Sequence, residues 1–365
     1  MPFEYQPGWS ASGGIEGTSA WHRPRLASVL PTLAVPVVAA PMAGGPSTPA
    51  LVAAVAAAGG LGFLAAGYTS VDAVAREIDD VRRQTDRPFG VNVFLAGAAT
   101  RDRAALLAYR DRLRPLATQL GVELGEPRWD DDDVEAKLDA VAGVPLVSLT
   151  FGCPSADMVR RLQAAGSMVL VTVTSLSEAR LAAAAGVDGL WVQGAEAGAH
   201  RGSFTDDDAV APAVPLLELL TGVRAETSLP LVAAGGVMDG ADVRAALAAG
   251  ATWAALGTAF LGCPEAGTHP THLTALTDPR FTETAVTRAF TGRPARGLVN
   301  AFLREHDAAA PRGYPEVHHV TRPLRQAAAA AGDAEHLHLW AGTGWRRLRP
   351  LPAADLVRLL AAEIG

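Results

Sequence analysis

Three observations predict an α/β protein built as a (β/α)8 (TIM) barrel. Eight short apolar runs recur between residues 35 and 258, most of them followed by an amphipathic or alanine-rich stretch of helical length. The runs are apolar throughout rather than alternating, which marks strands covered on both faces of a parallel sheet. Eight such units in about 230 residues match the size of a closed barrel. A doubly wound open sheet is the alternative. However, "MAGG" after the first run lacks the G-x-G-x-x-G spacing, and no acidic residue ends the second run.

The elements follow in order. "VPVVAA" (35–40) reads as a strand, and "STPALVAAVAAAGG" as a helix with Thr48 as N-cap, Pro49 in its first turn and Gly59–Gly60 as its stop. "LGFLAA" is the second strand, "SVDAVAREIDDVRRQ" the second helix and "FGVNVFL" (89–95) the third strand. Residues 98–143 break the rhythm and read as a helical insertion after strand 3; its acidic run Asp130–Asp133 suits a solvated helix start better than a metal site. The alternation then resumes with "PLVSLTF", "SADMVRRLQAAG", "MVLVTV", and "SLSEARLAAAAG" with a Ser175–Glu178 capping box. "VDGLWV", "PAVPLLELLTGVRAE", "LPLVAAGG", "DGADVRAALAAG" with Asp239 as N-cap, and "ATWAALGT" complete the set. The expected organisation is an N-terminal segment (1–30), the barrel (31–262) and a C-terminal helical extension (263–365) of helices and loops packed on it.

Composition narrows the function. The chain has 365 residues, 49% of them hydrophobic, and a net charge of −7 with scattered arginines, which argues against nucleic acid as a partner. The one lysine, Lys137, stands in a charged helical stretch without phosphate-loop glycines, which excludes Schiff-base and Walker-type chemistry. Cys153 and Cys263 read as reduced structural thiols. The uncharged stretch between Arg25 and Asp72 is cut by prolines and glycines, so it is too broken to span a membrane. The first 25 residues lack the pattern of a signal peptide, and a cytoplasmic protein is expected.

In a barrel, chemistry sits at the C-terminal ends of the strands. The glycine-containing loops "AAGG" (233–236) and "ALGTAF" (255–260) after the last two strands let backbone N–H groups approach a phosphate, although tight turns alone would also use glycine. His200, in the loop "QGAEAGAHRG" after the sixth strand, is the strand-end side chain whose ordinary pKa lies near neutrality, and so the candidate for proton transfer. A structural histidine is the ordinary alternative. Gln193 and Glu196 stand close in sequence, Glu196 as an orienting or merely solvated group. His318–His319 and His336-x-His338 read as packing, because no further ligand pattern completes a metal site.

"APMAGGPSTPALVAAVAAAGGLGFLAAGY", "GVNVF", "QGAEAGAHRG", "LVAAGGVMDG" and "LGTAFL" together resemble the nitronate monooxygenase (2-nitropropane dioxygenase) family, and "FTGRPARGLVN" with "RPLRQAA…LWAGTGW" is similar to its class I branch. The resemblance implies a flavoprotein with non-covalent FMN. Ala40, Pro41 and Met42 would lie by the ring, Asn92, Gln193 and Gly198 would contact it, and Gly235, Gly236, Gly257 and Thr258 would hold the phosphate. His200 would be catalytic. The implied reaction oxidises an alkyl nitronate or nitroalkane of the propionate 3-nitronate type with O2, through a flavin semiquinone, to a carbonyl product and nitrite or nitrate. Class I members commonly carry glutamine where this chain has Thr343. The resemblance leaves a homodimer open. FMN-dependent enoyl-ACP reductases and NAD(P)H:quinone reductases share the barrel and the histidine loop and are the competing readings. A flavin-free phosphate-binding barrel and a non-catalytic flavin binder are further ones.

Overall fold

The computed structural model describes residues 30–95, 97–206 and 213–365. The expectations for residues 1–29 therefore lie outside the described residues, as does Pro212 at the head of one predicted helix. In chain order the strands are β1 (Val37–Ala39), β2 (Leu61–Ala65), β3 (Gly90–Phe94), β4 (Leu146–Thr150), β5 (Met168–Val173), β6 (Gly189–Gln193), β7 (Ala199–His200), β8 (Leu231–Ala234), β9 (Trp253–Leu256), β10 (Thr284–Thr287) and β11 (Ala295–Leu298). Eight of them close a parallel barrel in the order β1-β2-β3-β4-β5-β6-β8-β9. Closure is made by β1 on β9, with Ala39 opposite Leu256. Seven of the eight lie within the run expected for them, and β6 runs one residue past its own, to Gln193, which establishes the (β/α)8 fold class.

The helices are α1 (Pro49–Ala57), α2 (Val71–Gln84), α3 (Arg103–Leu120), α4 (Val134–Ala140), α5 (Ala156–Ala164), α6 (Leu176–Ala184), α7 (Leu216–Glu226), α8 (Gly240–Ala248), α9 (Pro270–Thr277), α10 (Ala301–His306), α11 (Glu316–Ala330) and α12 (Ala353–Ile364). Their starts follow the local chemistry. Thr48 Oγ1 accepts from Leu51 N at 3.0 Å, with Pro49 in the first turn of α1. Asp239 accepts from Asp242 N at 3.0 Å and caps α8. At α6 only half of the expected capping box forms. Ser175 accepts from Glu178 N, but Glu178 reaches past Ser175 to Thr174 N at 2.6 Å and to Phe204 N at 2.6 Å. A buried carboxylate thus ties the end of β5 to the loop that follows β7.

Two stretches depart from the sequence reading. The segment after residue 262 is not only helices and loops: β10, β11 and β7 form a second, three-stranded sheet. Four-residue strands with no clear alternation gave no signal, because their pairing is made with a partner far away in sequence. The stretch 98–143 contains two helices with different tasks. α4 packs on β3 and α2, as a barrel helix does, whereas α3 packs on α11. Leu106, Tyr109, Leu113 and Leu116 of α3 form one cluster with Val317, Val320 and Leu324 of α11. The acidic run does start a helix, yet it is not simply solvated. Asp132 holds the buried Lys137 at 2.7 Å and accepts from Tyr68 N at 3.2 Å.

Among the described residues no helix is long and apolar enough to cross a membrane. Cys153 and Cys263 are both free thiols.

Candidate active site

Side chains of one parity fill the barrel axis. Val38, Leu61, Phe63, Leu146, Leu170, Trp191, Val232 and Trp253 form its apolar layers, with Trp191 edge-on to Phe63 at 5.0 Å. One step nearer the C-terminal ends, the filling turns polar. Ser148 and Thr150 of β4 donate to Asn92 Oδ1 of β3 at 2.8 and 2.9 Å. Thr150 Oγ1 lies 3.0 Å from Thr172 Oγ1 of β5. Thr150 gives its proton to Asn92, so Thr172 donates to Thr150. The Asn92 carbonyl is pinned by two hydroxyls, and its NH2 group is left to donate upward. This layer is the floor of a cavity of about 490 Å³, a size ordinary for a small-molecule site.

The loop after β6 forms one wall, and it is held firmly. Gln193 donates from Nε2 to His200 O at 3.0 Å and accepts from Gly202 N at 2.7 Å. Its amide, which the family resemblance assigns to the flavin, thus clamps both ends of the loop while still lining the cavity. β7 pairs antiparallel with β11, His200 opposite Ala295. Gly198 passes so close to the C-terminal segment that a Cβ there would lie 2.5 Å from Gly342 N. Ala199 takes φ 60°, a left-handed conformation that costs a non-glycine residue about 1 kcal/mol or more. Tyr68 and Phe151, just past β2 and β4, have φ 66° and 81°. Three such residues around one cavity mark it as a place where the fold holds strained backbone, which is commonly functional. Glu196 does not reach His200: its carboxylate accepts from Leu216 N at 3.0 Å, at the start of α7.

His200 faces the cavity with protein on its other sides. Phe151, Tyr314 and Trp340 surround the ring, with centroids at 5.7, 5.7 and 5.6 Å. Its Nε2 lies 3.0 Å from Thr291 Oγ1. The Thr291 hydroxyl gives its one proton to Arg293 O at 3.2 Å, so it accepts from Nε2–H and the lone pair falls on Nδ1. Burial pushes the imidazole down to about 3, and the Arg293 and Arg325 guanidinium groups push in the same direction. The ring is therefore neutral at physiological pH.

At the opposite side, Gly235 and Gly236 take φ 127° and 72° after β8, and a Cβ on Gly236 would meet Glu196 Cβ at 2.9 Å. None of the backbone hydrogen bonds of the described residues uses the N–H groups of Gly235, Gly236, Gly257 or Thr258. Thr258 Oγ1 accepts from Gly342 N at 2.9 Å, which leaves its own proton to donate. Open N–H groups without side chains fit a phosphate, such as the one a flavin mononucleotide would carry. Ala40, Pro41 and Met42 line the adjoining wall. The eleven residues that the family resemblance names all line this one cavity.

The sequence reading missed the wall made by α11. His318, Arg322, Arg325, Gln326 and Ala329 line the cavity at helical spacing from one face. His318 stacks on Tyr68 at 4.2 Å, and Tyr314 donates to the Tyr68 hydroxyl at 3.0 Å. His338, read as packing, also lines the cavity. The legible signal was the i, i+4, i+7, i+8 pattern of polar residues on a helix with an otherwise apolar face. Nothing local marked Thr291, which meets His200 only through the β7–β11 pairing. Among the described residues no aspartate or glutamate lines the cavity.

A closed parallel barrel with a glycine-lined cavity that holds no carboxylate among the described residues, and a half-buried histidine at its strand ends, has the architecture of a barrel enzyme, whose chemistry this fold places at that end. The nitronate monooxygenase profile matches residues 27–363, and the chain belongs to that family of oxidoreductases. The nitronate monooxygenase of Pseudomonas aeruginosa is 42% identical over 90% of this chain and 96% of its own length. Among solved structures, the nitroalkane oxidase of Streptomyces ansochromogenes is 51% identical with TM-score 0.88, over 91% of this chain and 96% of that one. FabK from Thermotoga maritima is 26% identical with TM-score 0.72, over 91% and 93%.

Proposed function

We propose that the protein uses FMN and O2 to oxidise alkyl nitronates or nitroalkanes to a carbonyl product and nitrite or nitrate. The observation that carries this reading is the cavity's charge. Among the described residues its lining holds two arginines, Arg322 and Arg325, and no carboxylate, in a chain of net charge −7. Such a site favours anions, and both a flavin phosphate and a nitronate are anions. The family is generally flavin-dependent, and the names of the relatives point to nitronate and nitroalkane substrates.

Gly235, Gly236, Gly257 and Thr258 would hold the phosphate through N–H groups and one hydroxyl. Ala40, Pro41, Met42 and Gly198 would flank the ring, and the free NH2 of Asn92 would donate to its edge. Gln193 would contribute the second N–H of its amide while clamping the loop. Bound FMN would supply the electron chemistry. His200 handles the proton. A neutral nitroalkane meets the unprotonated Nδ1, which can take its α-proton. An anionic nitronate favours the protonated ring, which then donates to a nitro oxygen. Phe151, Tyr314 and Trp340 exclude water around that contact.

The test is oxygen uptake by the purified yellow protein with propionate 3-nitronate, with nitrite assayed in parallel. Uptake without any nicotinamide supports the reading. No uptake with any nitronate, together with rapid NADPH or NADH oxidation, replaces it with a reductase.

A further inference from the structure

The C-terminal segment 342–349 ties together the loops after β6, β8 and β9. Gly342 N donates to Thr258 Oγ1 at 2.9 Å, and Thr343 N donates to Glu196 O at 3.0 Å. Gly344 packs so close that a Cβ there would lie 2.6 Å from Met238 Cγ and 3.0 Å from Gly236 O. Two arginines of this segment then reach the loop after β8. Arg347 Nη2 donates to Gly236 O at 3.1 Å, and Arg349 Nη2 donates to Met238 O at 2.8 Å. The other ends of both guanidinium groups are anchored. Arg347 pairs with Asp239 at 2.7 Å and Asp242 at 2.8 Å, at the start of α8. Arg349 pairs with Glu363 of α12 at 2.6 Å.

These contacts set the direction of a peptide unit. The carbonyl of Gly236 and the N–H of Val237 belong to one planar trans unit, so they point in opposite directions. Arg347 holds the carbonyl, and the Val237 N–H therefore faces away from Arg347. Gly235, Gly236 and Val237 all line the cavity. No backbone hydrogen bond of the described residues uses their N–H groups. Three successive open N–H groups make a nest for an anion. The same guanidinium also answers a charge problem. Asp239 and Asp242 lie three and six residues beyond Gly236, and unpaired they would oppose a phosphate at the loop. Arg347 binds both.

We propose that Arg347 and Arg349 are positioning residues that hold the loop after β8 open toward a phosphate, so that the protein selects a phosphorylated flavin over riboflavin. This rests on the flavin reading above. Neither arginine touches the cofactor in this account. Arg347 acts through the Gly236–Val237 peptide and through the two aspartates. Its planar fork serves a carbonyl and two carboxylates at once, which the single ammonium of a lysine matches only in charge.

The experiment strips flavin from the full-length wild type, Arg347→Met, Arg347→Lys and Arg349→Met, and titrates each with FMN and with riboflavin. Binding is read from the quenching of flavin fluorescence, and folding from a thermal melt. The wild type is expected to bind FMN about 100-fold more tightly than riboflavin. Arg347→Met is expected to lose about 10-fold of that ratio with riboflavin binding unchanged, Arg347→Lys to fall between it and the wild type, and Arg349→Met to lose about 3-fold. An unchanged ratio in Arg347→Met overturns the proposal, as does an equal weakening of both flavins. If Arg347→Met does not fold, Arg347→Lys decides: a lowered ratio supports the proposal and an intact one overturns it. A wild type that binds both flavins equally well overturns the proposal and leaves the flavin reading standing. A wild type that binds neither removes both.

Discussion

His200 Nε2 and Thr291 Oγ1 stand 3.0 Å apart, joining the loop after β6 to the turn before β11. Because Thr291 donates onward to Arg293 O, the pair fixes which ring nitrogen carries the proton. Thr291→Val removes that control without changing the volume much. It should lower kcat about 10- to 100-fold with little change in KM and full flavin content, while Thr291→Ser should keep most of the activity. His200→Asn should lose turnover and keep its flavin. Unchanged kcat in both Thr291→Val and His200→Asn would remove the proton-handling role.

The neutrality of His200 has a pH signature. Its imidazole is held at about 3, far below an ordinary histidine, so the basic form persists as pH falls. With a neutral nitroalkane, kcat/KM should not drop between pH 8 and 5, because that quantity reports the free enzyme. A loss of activity centred near pH 6.5 contradicts this. The shift also bears on stability. His200 and His272 are lowered in the folded state, to about 3 and about 4, so below pH 6.5 the unfolded chain binds protons that the fold refuses. Each such histidine costs up to about 1.4 kcal/mol per pH unit in that window and nothing above it. The melting temperature should fall from pH 7 to pH 5.

The glycine cradle can be tested by closing it. Gly236→Ala places a methyl group 2.9 Å from Glu196 Cβ at φ 72°. A left-handed alanine costs about 1–2 kcal/mol, and relieving the clash moves the N–H groups meant for the phosphate. The variant should purify with less flavin and regain colour only at higher added FMN. Wild-type flavin retention would show that the phosphate sits elsewhere.

Lys137 and Asp132 form an ion pair at 2.7 Å, with the lysine fully buried and the aspartate also accepting from Tyr68 N. Lys137→Met leaves that carboxylate unpaired and should destabilise the protein by about 3 kcal/mol in a denaturant titration. Asp132→Asn added to Lys137→Met should recover much of the loss. No change in the single variant would mean that the pair contributes nothing.

The sequence displayed the barrel because each strand–helix unit carries its signals locally. Thr48 and Asp239 mark helix starts, and continuous apolar runs mark strands. It displayed the parts of the site that lie at strand ends, namely Met42, Asn92, Gln193, His200 and the glycine loops. It hid what depends on distant pairing. β7 has two residues and exists only against β11, and Thr291 reaches His200 only through that pairing. Arg325 and His318 lie more than 100 residues beyond His200, on a helix that α3 props against the barrel mouth. The 98–143 stretch looked like surface decoration, since the apolar face of α3 has its partner in α11.

The central claim is that this cavity passes electrons from a nitronate to a bound flavin without a nicotinamide. The direct measurement mixes the purified yellow protein anaerobically with propionate 3-nitronate, NADH or NADPH, in separate experiments, and follows the visible flavin band. The account predicts a rapid change with the nitronate and none with either nicotinamide. Rapid bleaching by NADH or NADPH, with no response to the nitronate, would contradict it.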